Sequence, residues 1–187
     1  DQVDLNITVT ERPTGNLTAG VGFSDTQGVT LNFSLAQENF MGTGDYVAIT
    51  IDNSQVTKNY SFTIRDPYVT DAGVSRNFSI YSRKVDAEAA NVSNYVINTE
   101  GVSLSYGIPS GEFTNYSVGV GLEHNALVTS PVNSATQILD FVTAQGNDYN
   151  TLFLTSNWLH DTRNRAIFAS EGKMFRWCLE KIVDTNG

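Results

Sequence analysis

The side chains that could do chemistry are few and scattered. His124 and His160 are the only histidines. Neither stands at a metal-ligand spacing from another candidate, so both read as solvated positions and no metal is expected. Cys178 is the single cysteine, which rules out an internal disulfide, and its place close to one end reads as inert. Glu123 adjoins His124, but neighbours on a strand point to opposite faces, so the two do not form an acid–base pair. Asp161, Arg163 and Arg165 crowd one turn and read as charge pairs rather than as a phosphate site. Neither a glycine-rich phosphate loop nor a nucleophile elbow is present. No enzyme and no cofactor are expected. With 11 basic against 20 acidic residues the net charge is -9, and no cluster of Lys and Arg exists to hold nucleic acid.

The elements that carry these residues follow from composition and alternation. Hydrophobic residues make up 40% of the 187 and aromatics 11%, which excludes disorder. Only 17% are charged, and polar character comes from Ser, Thr, Asn and Gly instead. Period two dominates. Leu17, Ala19, Val21 and Phe23 alternate with Thr18, Gly20 and Gly22. The same rhythm runs through Val29–Leu35, Val47–Ile51, Tyr60–Ile64, Phe78–Ile80, Val102–Ile108 and Tyr116–Leu122, and blurs over Thr151–His160. About eight strands result, with an uncertain ninth from about Lys173. No run of about 18 apolar residues offers a spanning helix, but barrel strands cross a membrane with about ten alternating residues each. A soluble sandwich would show a charged outer face. Here the face opposite the apolar one carries few charges, as expected if apolar residues meet lipid and the polar face lines a wet lumen. The triplets at Asn6, Asn16, Asn32, Asn59, Asn77, Asn91 and Asn115 match a glycosylation pattern, but most fall inside strands and read as composition of the polar face.

The connections fall into two sets. Met41–Gly44, Asp66–Gly73 and Pro109–Glu112 are short; Ser24–Gly28, Asp52–Thr57, Val85–Val96 and Asn125–Asn150 grow along the chain. Such asymmetry separates the periplasmic from the external end of an outer-membrane barrel. Phe23, Phe40, Tyr46, Tyr68 and Tyr106 lie near strand ends and suit interfacial girdles. Val3–Val9 alternates before Glu11-Arg12-Pro13-Thr14-Gly15 breaks the strand. Asp1 begins directly in that strand-like run, so a secreted parent has lost its leader or the chain is a fragment.

Four segments together resemble the BamA family of outer-membrane barrel-assembly factors, within the bacterial surface antigen/POTRA-barrel superfamily. Val9-Thr10-Glu11-Arg12-Pro13-Thr14-Gly15 is similar to the junction of the last periplasmic POTRA domain with the barrel. Gln37-Glu38-Asn39-Phe40-Met41-Gly42-Thr43-Gly44 resembles the first periplasmic turn, and Arg65-Asp66-Pro67-Tyr68-Val69-Thr70-Asp71-Ala72-Gly73-Val74-Ser75 the second. Gly119-Val120-Gly121-Leu122-Glu123-His124-Asn125-Ala126-Leu127 resembles the end of the seventh strand. The resemblance implies an all-β fold, the N-terminal half of an antiparallel transmembrane β-barrel, with about eight or nine of sixteen strands. Residues 1–12 would be the last strand of a POTRA domain, 13–175 the half-barrel, and 176–187 an irregular or altered terminus. Trp177-Cys178-Leu179-Glu180-Lys181-Ile182-Val183 reads as weakly helical or irregular and has no match in the family pattern.

What the resemblance implies functionally is non-enzymatic insertion of barrel proteins. In the family the first barrel strand pairs weakly with the last and forms a lateral gate; here that strand is Asn16, Leu17, Thr18, Ala19, Gly20, Val21, Gly22 and Phe23. Implied partners are outer-membrane lipid, nascent outer-membrane barrel proteins and assembly-machine lipoproteins reached through periplasmic domains. Glycines at 15, 20 and 22 would weaken the strand, or would serve only as lumen clearance. Three alternatives predict different pairings or environments. A TamA-like factor or two-partner secretion transporter differs in its other domains. A small closed porin or anchor would pair the Leu17 strand with the Thr151 strand. A soluble β-sandwich binding module would bury the apolar face. A half-barrel alone leaves two edges unsatisfied in lipid and is expected to be inactive.

Overall fold

A computed structural model describes residues 8, 13–129 and 134–184. The expected POTRA strand at 1–12 lies outside the described residues except for Thr8. Nine antiparallel strands form one sheet in chain order: β1 (Gly15–Ser24), β2 (Gly28–Gln37), β3 (Tyr46–Asn53), β4 (Thr57–Asp66), β5 (Ser75–Asp86), β6 (Tyr95–Pro109), β7 (Thr114–Thr129), β8 (Asp148–Asp161) and β9 (Met174–Asp184). A helix, α1 (Thr136–Gln145), lies between β7 and β8. Both edges of β8 are occupied, by β7 and β9, so the eight-stranded closure of β1 onto the Thr151 strand is not formed.

The alternation read from sequence fixes the two faces because cross-strand partners share a side. Val21 pairs with Leu31, Phe33 with Ile51, Ile49 with Phe62, Ile80 with Val102, and Val120 with Leu154, all on one face. Among the described residues nothing packs over that face. The only buried hydrophobic residues among those described are Ala87 and Leu127, both near the loop end of the sheet. A soluble sandwich needs a second sheet over its apolar face, and there is one sheet here. The opposite face carries a hydrogen-bonded polar row: Gly20, Asn32, Asp52, Asn59, Arg83, Thr99 and Asn125 are successive partners. Asn32 donates from Nδ2 to Asp52 at 2.8 Å, and Thr99 donates from Oγ1 to Asn125 at 2.8 Å.

Three expectations need correction. The tail at 176–187, read as irregular, is strand through Asp184. Pairing with β8 sets Phe175, Trp177, Leu179 and Val183 on the apolar face and Arg176, Cys178 and Glu180 on the polar one. Lys181 interrupts the rhythm, and the Leu-Glu-Lys run has helix propensity that the β8 ladder overrides. Second, the connections do not separate into short and long sets. The supposedly growing end begins with three-residue links at 25–27 and 54–56, whereas the other end has links at 38–45 and 67–74. Length grows only toward 87–94 and 130–147, the latter containing α1. Strands β5 to β7 run further than the alternation showed, which shortens the apparent loops. Third, Tyr46 is on the polar face, opposite Arg65, whose guanidinium lies 5.1 Å from its ring centroid, so it takes no part in an outward girdle.

The turns that carried the family pattern have specific conformational needs. In the 38–45 link, Gly44 adopts a positive φ and donates its N–H to the Asn39 side chain at 2.8 Å. In the 67–74 link, Asp66 caps the Tyr68 N–H at 3.0 Å, and Gly73, also at positive φ, closes onto Thr70.

Candidate functional site at the first strand

The eight residues from Asn16 to Phe23 all fall in β1, and all are exposed. Leu17, Val21 and Phe23 leave 64%, 79% and 75% of their surface open. One edge of β1 pairs with β2 over its whole length; the other has no strand partner among the described residues. In an antiparallel strand every second residue turns its N–H and C=O away from a given neighbour, so the outer edge of β1, like that of β9, directs a row of donors and acceptors at whatever strand completes it. In hydrocarbon each such group costs several kcal/mol until another backbone satisfies it.

The glycines of β1 differ from those further along the sheet. A methyl at Gly20 would meet nothing within 4 Å, and one at Gly15 only the Ala36 carbonyl at 4.0 Å. At Gly22 it would lie 2.7 Å from the rotatable Thr30 hydroxyl. Clearance therefore does not explain Gly20. On β6 and β7 it does: a methyl at Gly101 would lie 2.5 Å from Cζ of Tyr81, and one at Gly121 would fall inside the Phe153 ring. Tyr81 reaches across Gly101 and donates its hydroxyl proton to Glu123. This clasp from β5 to β7 escaped the sequence reading because its members stand 42 residues apart and meet only through two registers.

The remaining candidates stay separate. His124 sits on the apolar face with Nδ1 2.9 Å from Asn150 Oδ1, while Glu123 faces the other way. His160 lies 2.9 Å from the Thr114 hydroxyl and stacks on Trp158. No metal-ligating group of three exists among the described residues. Asp161 and Arg163 form the expected charge pair at 2.7 Å, and the hydrogen bond to that carboxylate raises the Arg163 guanidinium further above its ordinary value. Phe23 and Tyr106 do lie on the apolar side near strand ends. A stronger aromatic row went unread: Tyr116, Trp158 and Trp177 are successive partners across β7, β8 and β9 on that side. Trp177 joins the row through the pairing of β9 with β8, which no local pattern in the tail announces.

Residues 39–185 match the Omp85 superfamily domain, and the match runs through β9. The chain belongs to the Omp85 superfamily. It is 31% identical, over 163 residues, to the outer membrane protein assembly factor BamA of Neisseria meningitidis serogroup B, covering 86% of this chain and 20% of that protein. Against the BamA of Buchnera aphidicola the identity is 24% over 127 residues, covering 68% of this chain and 21% of that one. The sheet also resembles the crystal structure of BamA from Haemophilus ducreyi lacking POTRA domains 1-3, with a TM-score of 0.72 and 24% identity over 92% of this chain and 35% of that one. That likeness shows the fold: the nine strands are part of an Omp85 barrel. The chain spans about a fifth of the length of the relatives it matches. As an Omp85 chain it is an outer-membrane protein, and its apolar face is the one turned to lipid.

Proposed function

We propose that this chain supplies the opening strands of a barrel-assembly insertase, with β1 as the edge that receives a strand of a nascent outer-membrane barrel protein. The observation that carries this reading is Gly20, a strand glycine that no packing demands, in the strand whose place matches the family's first. Addition of a strand to such an edge is tolerant of sequence, because the main chain supplies the bonds. Gly20 costs backbone entropy in a strand, about 0.5–1 kcal/mol relative to Ala, so pairing along β1 is easily exchanged. No group need be transferred and no cofactor enters; the driving force is burial of client backbone and apolar side chains in the bilayer. Membership in the superfamily and the assembly-factor names of the relatives support the same reading. Its partners would be nascent barrel proteins and, through periplasmic domains, the lipoproteins of an assembly complex.

The test is disulfide trapping in the intact protein in outer-membrane vesicles. Cysteine replaces each residue from Asn16 to Phe23 in turn, in a Cys178→Ser background, and a client barrel carries cysteine in its terminal strand. Cross-links with a two-residue periodicity along β1 are expected. Cross-links confined to other strands, or none during active insertion, would overturn the proposal.

A further inference from the structure

The lipid-facing sides of β4 and β5 end in charge at both rims, and the two rims differ. At the turn end, Asp66 pairs with Arg76 and the charges neutralise each other at 3.5 Å. At the loop end, Lys58 stands directly opposite Lys84 on the same face. Like charges opposite one another destabilise a sheet, and neither lysine has an ion-pair partner among the described residues. In a chain of net charge -9, two adjacent unpaired cations call for an anion.

The surroundings specify its kind. The lysines border a depression of about 390 Å³ that includes the side chains of Val29, Asn53 and Gln55. Asp86 also borders it, but accepts a 2.9 Å hydrogen bond from the Ala89 N–H. Directly below, toward mid-sheet, a groove of about 420 Å³ runs between Ile49, Ile51, Tyr60, Phe62 and Ile80, with Ser82 and Glu100 at its margin. From Lys58 to Asp66 the strand makes eight steps, about 26 Å along its axis at roughly 3.3 Å each and about 20 Å across the bilayer at a tilt of about 40°, so the two charged ends lie near the edges of an apolar belt about 25 Å tall. Lysine stems snorkel, so both ammonium groups reach headgroup depth while their methylenes lie on the groove. A cationic pair above an acyl-sized groove is the complement of an anionic amphiphile. The rim carries α1 and lies opposite the 38–45 and 67–74 links, whose sequences resemble the family's periplasmic turns, so it is the external side.

We propose that Lys58 and Lys84 bind the phosphate of an outer-leaflet phosphoglycolipid, of the lipid A class, with one acyl chain along the Ile49–Ile80 groove. Asn53 and Gln55 are placed to add amide donors to the same phosphate. The site rests on the outer-membrane placement and not on the insertase reading, since β1 takes no part in it.

Native mass spectrometry of the intact, delipidated protein titrated with lipid A tests this. Wild type is expected to retain the lipid. The pair Lys58→Ala and Lys84→Ala should weaken retention about tenfold or more, and Lys58→Arg with Lys84→Arg should restore it. Phosphate-free lipid A and phosphatidylglycerol should both bind wild type more weakly than lipid A does. Unchanged retention in the alanine pair would overturn the site. So would equal binding of the phosphate-free lipid, and equal binding of phosphatidylglycerol would overturn the assignment of leaflet and lipid. Heat-modified gel mobility checks folding; should the alanine pair not fold, the arginine pair and the two lipid arms on wild type still decide.

Discussion

The β1–β2 hairpin and the β5–β8 segment are built from the same alternating composition, yet they hold their glycines for opposite reasons. In β5–β8 two polar-face glycines lie under a ring, Gly101 under Tyr81 and Gly121 under Phe153, and two more, Gly107 and Gly119, lie against Ser75 and Thr155. Removing the side chain makes room for a cross-strand contact, and the Tyr81–Glu123 clasp then ties three strands together. The strands there are also longer, up to 16 residues in β7 against 10 in β1, with correspondingly longer ladders. In β1, Gly20 faces open space and gives the strand no packing in return. One region uses glycine to make room; at Gly20 of the other, no neighbour requires it. On the reading proposed above, rigidity concentrated in β5–β8 would let β1 exchange partners without the sheet losing its register.

The largest expected effect lies in the fitted region. Gly121→Val should destabilise the intact barrel by about 1–3 kcal/mol through overpacking against Phe153. Urea unfolding in liposomes measures it, and Phe153→Leu should recover much of the loss. Additive effects of the two changes would mean that the ring and the glycine are not coupled. Next, Tyr81→Phe removes a hydrogen bond to a half-buried carboxylate, worth about 1–2 kcal/mol. Glu123→Gln, which keeps an acceptor, should cost less. Smallest is Gly20→Ala, expected to raise stability by about 0.5–1 kcal/mol, because the site is empty and the alanine loses less backbone entropy. If insertion of clients slows while stability rises, the loose hairpin has a function. A loss of stability at Gly20→Ala would show that Gly20, like Gly121, is a packing glycine and would erase the contrast between the regions.

The candidate strand was legible because its signal is local: Leu17, Val21 and Phe23 alternate with Thr18, Gly20 and Gly22, and the Pro13–Gly15 break marks where it begins. The clasp was not legible, since nothing near Tyr81 in sequence names Glu123. Nor was β9, where Lys181 spoils the period and Leu179-Glu180-Lys181 favours helix when read alone. The loop asymmetry misled because strand ends above the apolar belt turn polar. Ser82, Glu100 and His124 continue the apolar face of β5, β6 and β7 but carry no hydrophobic signal.

By itself the sequence determined which side of each ribbon is greasy and where the ribbons turn. Side chains alternate strictly along an extended backbone, and glycine, proline and asparagine mark bends within a few residues. Only the tertiary structure decided register, and with it every relation across strands: Lys58 opposite Lys84, Tyr116 beside Trp158 and Trp177, Tyr81 reaching Glu123. The physical reason is that ladder bonds form between main chains, which are alike at every residue. Which side chains become neighbours is therefore settled by how the whole sheet aligns.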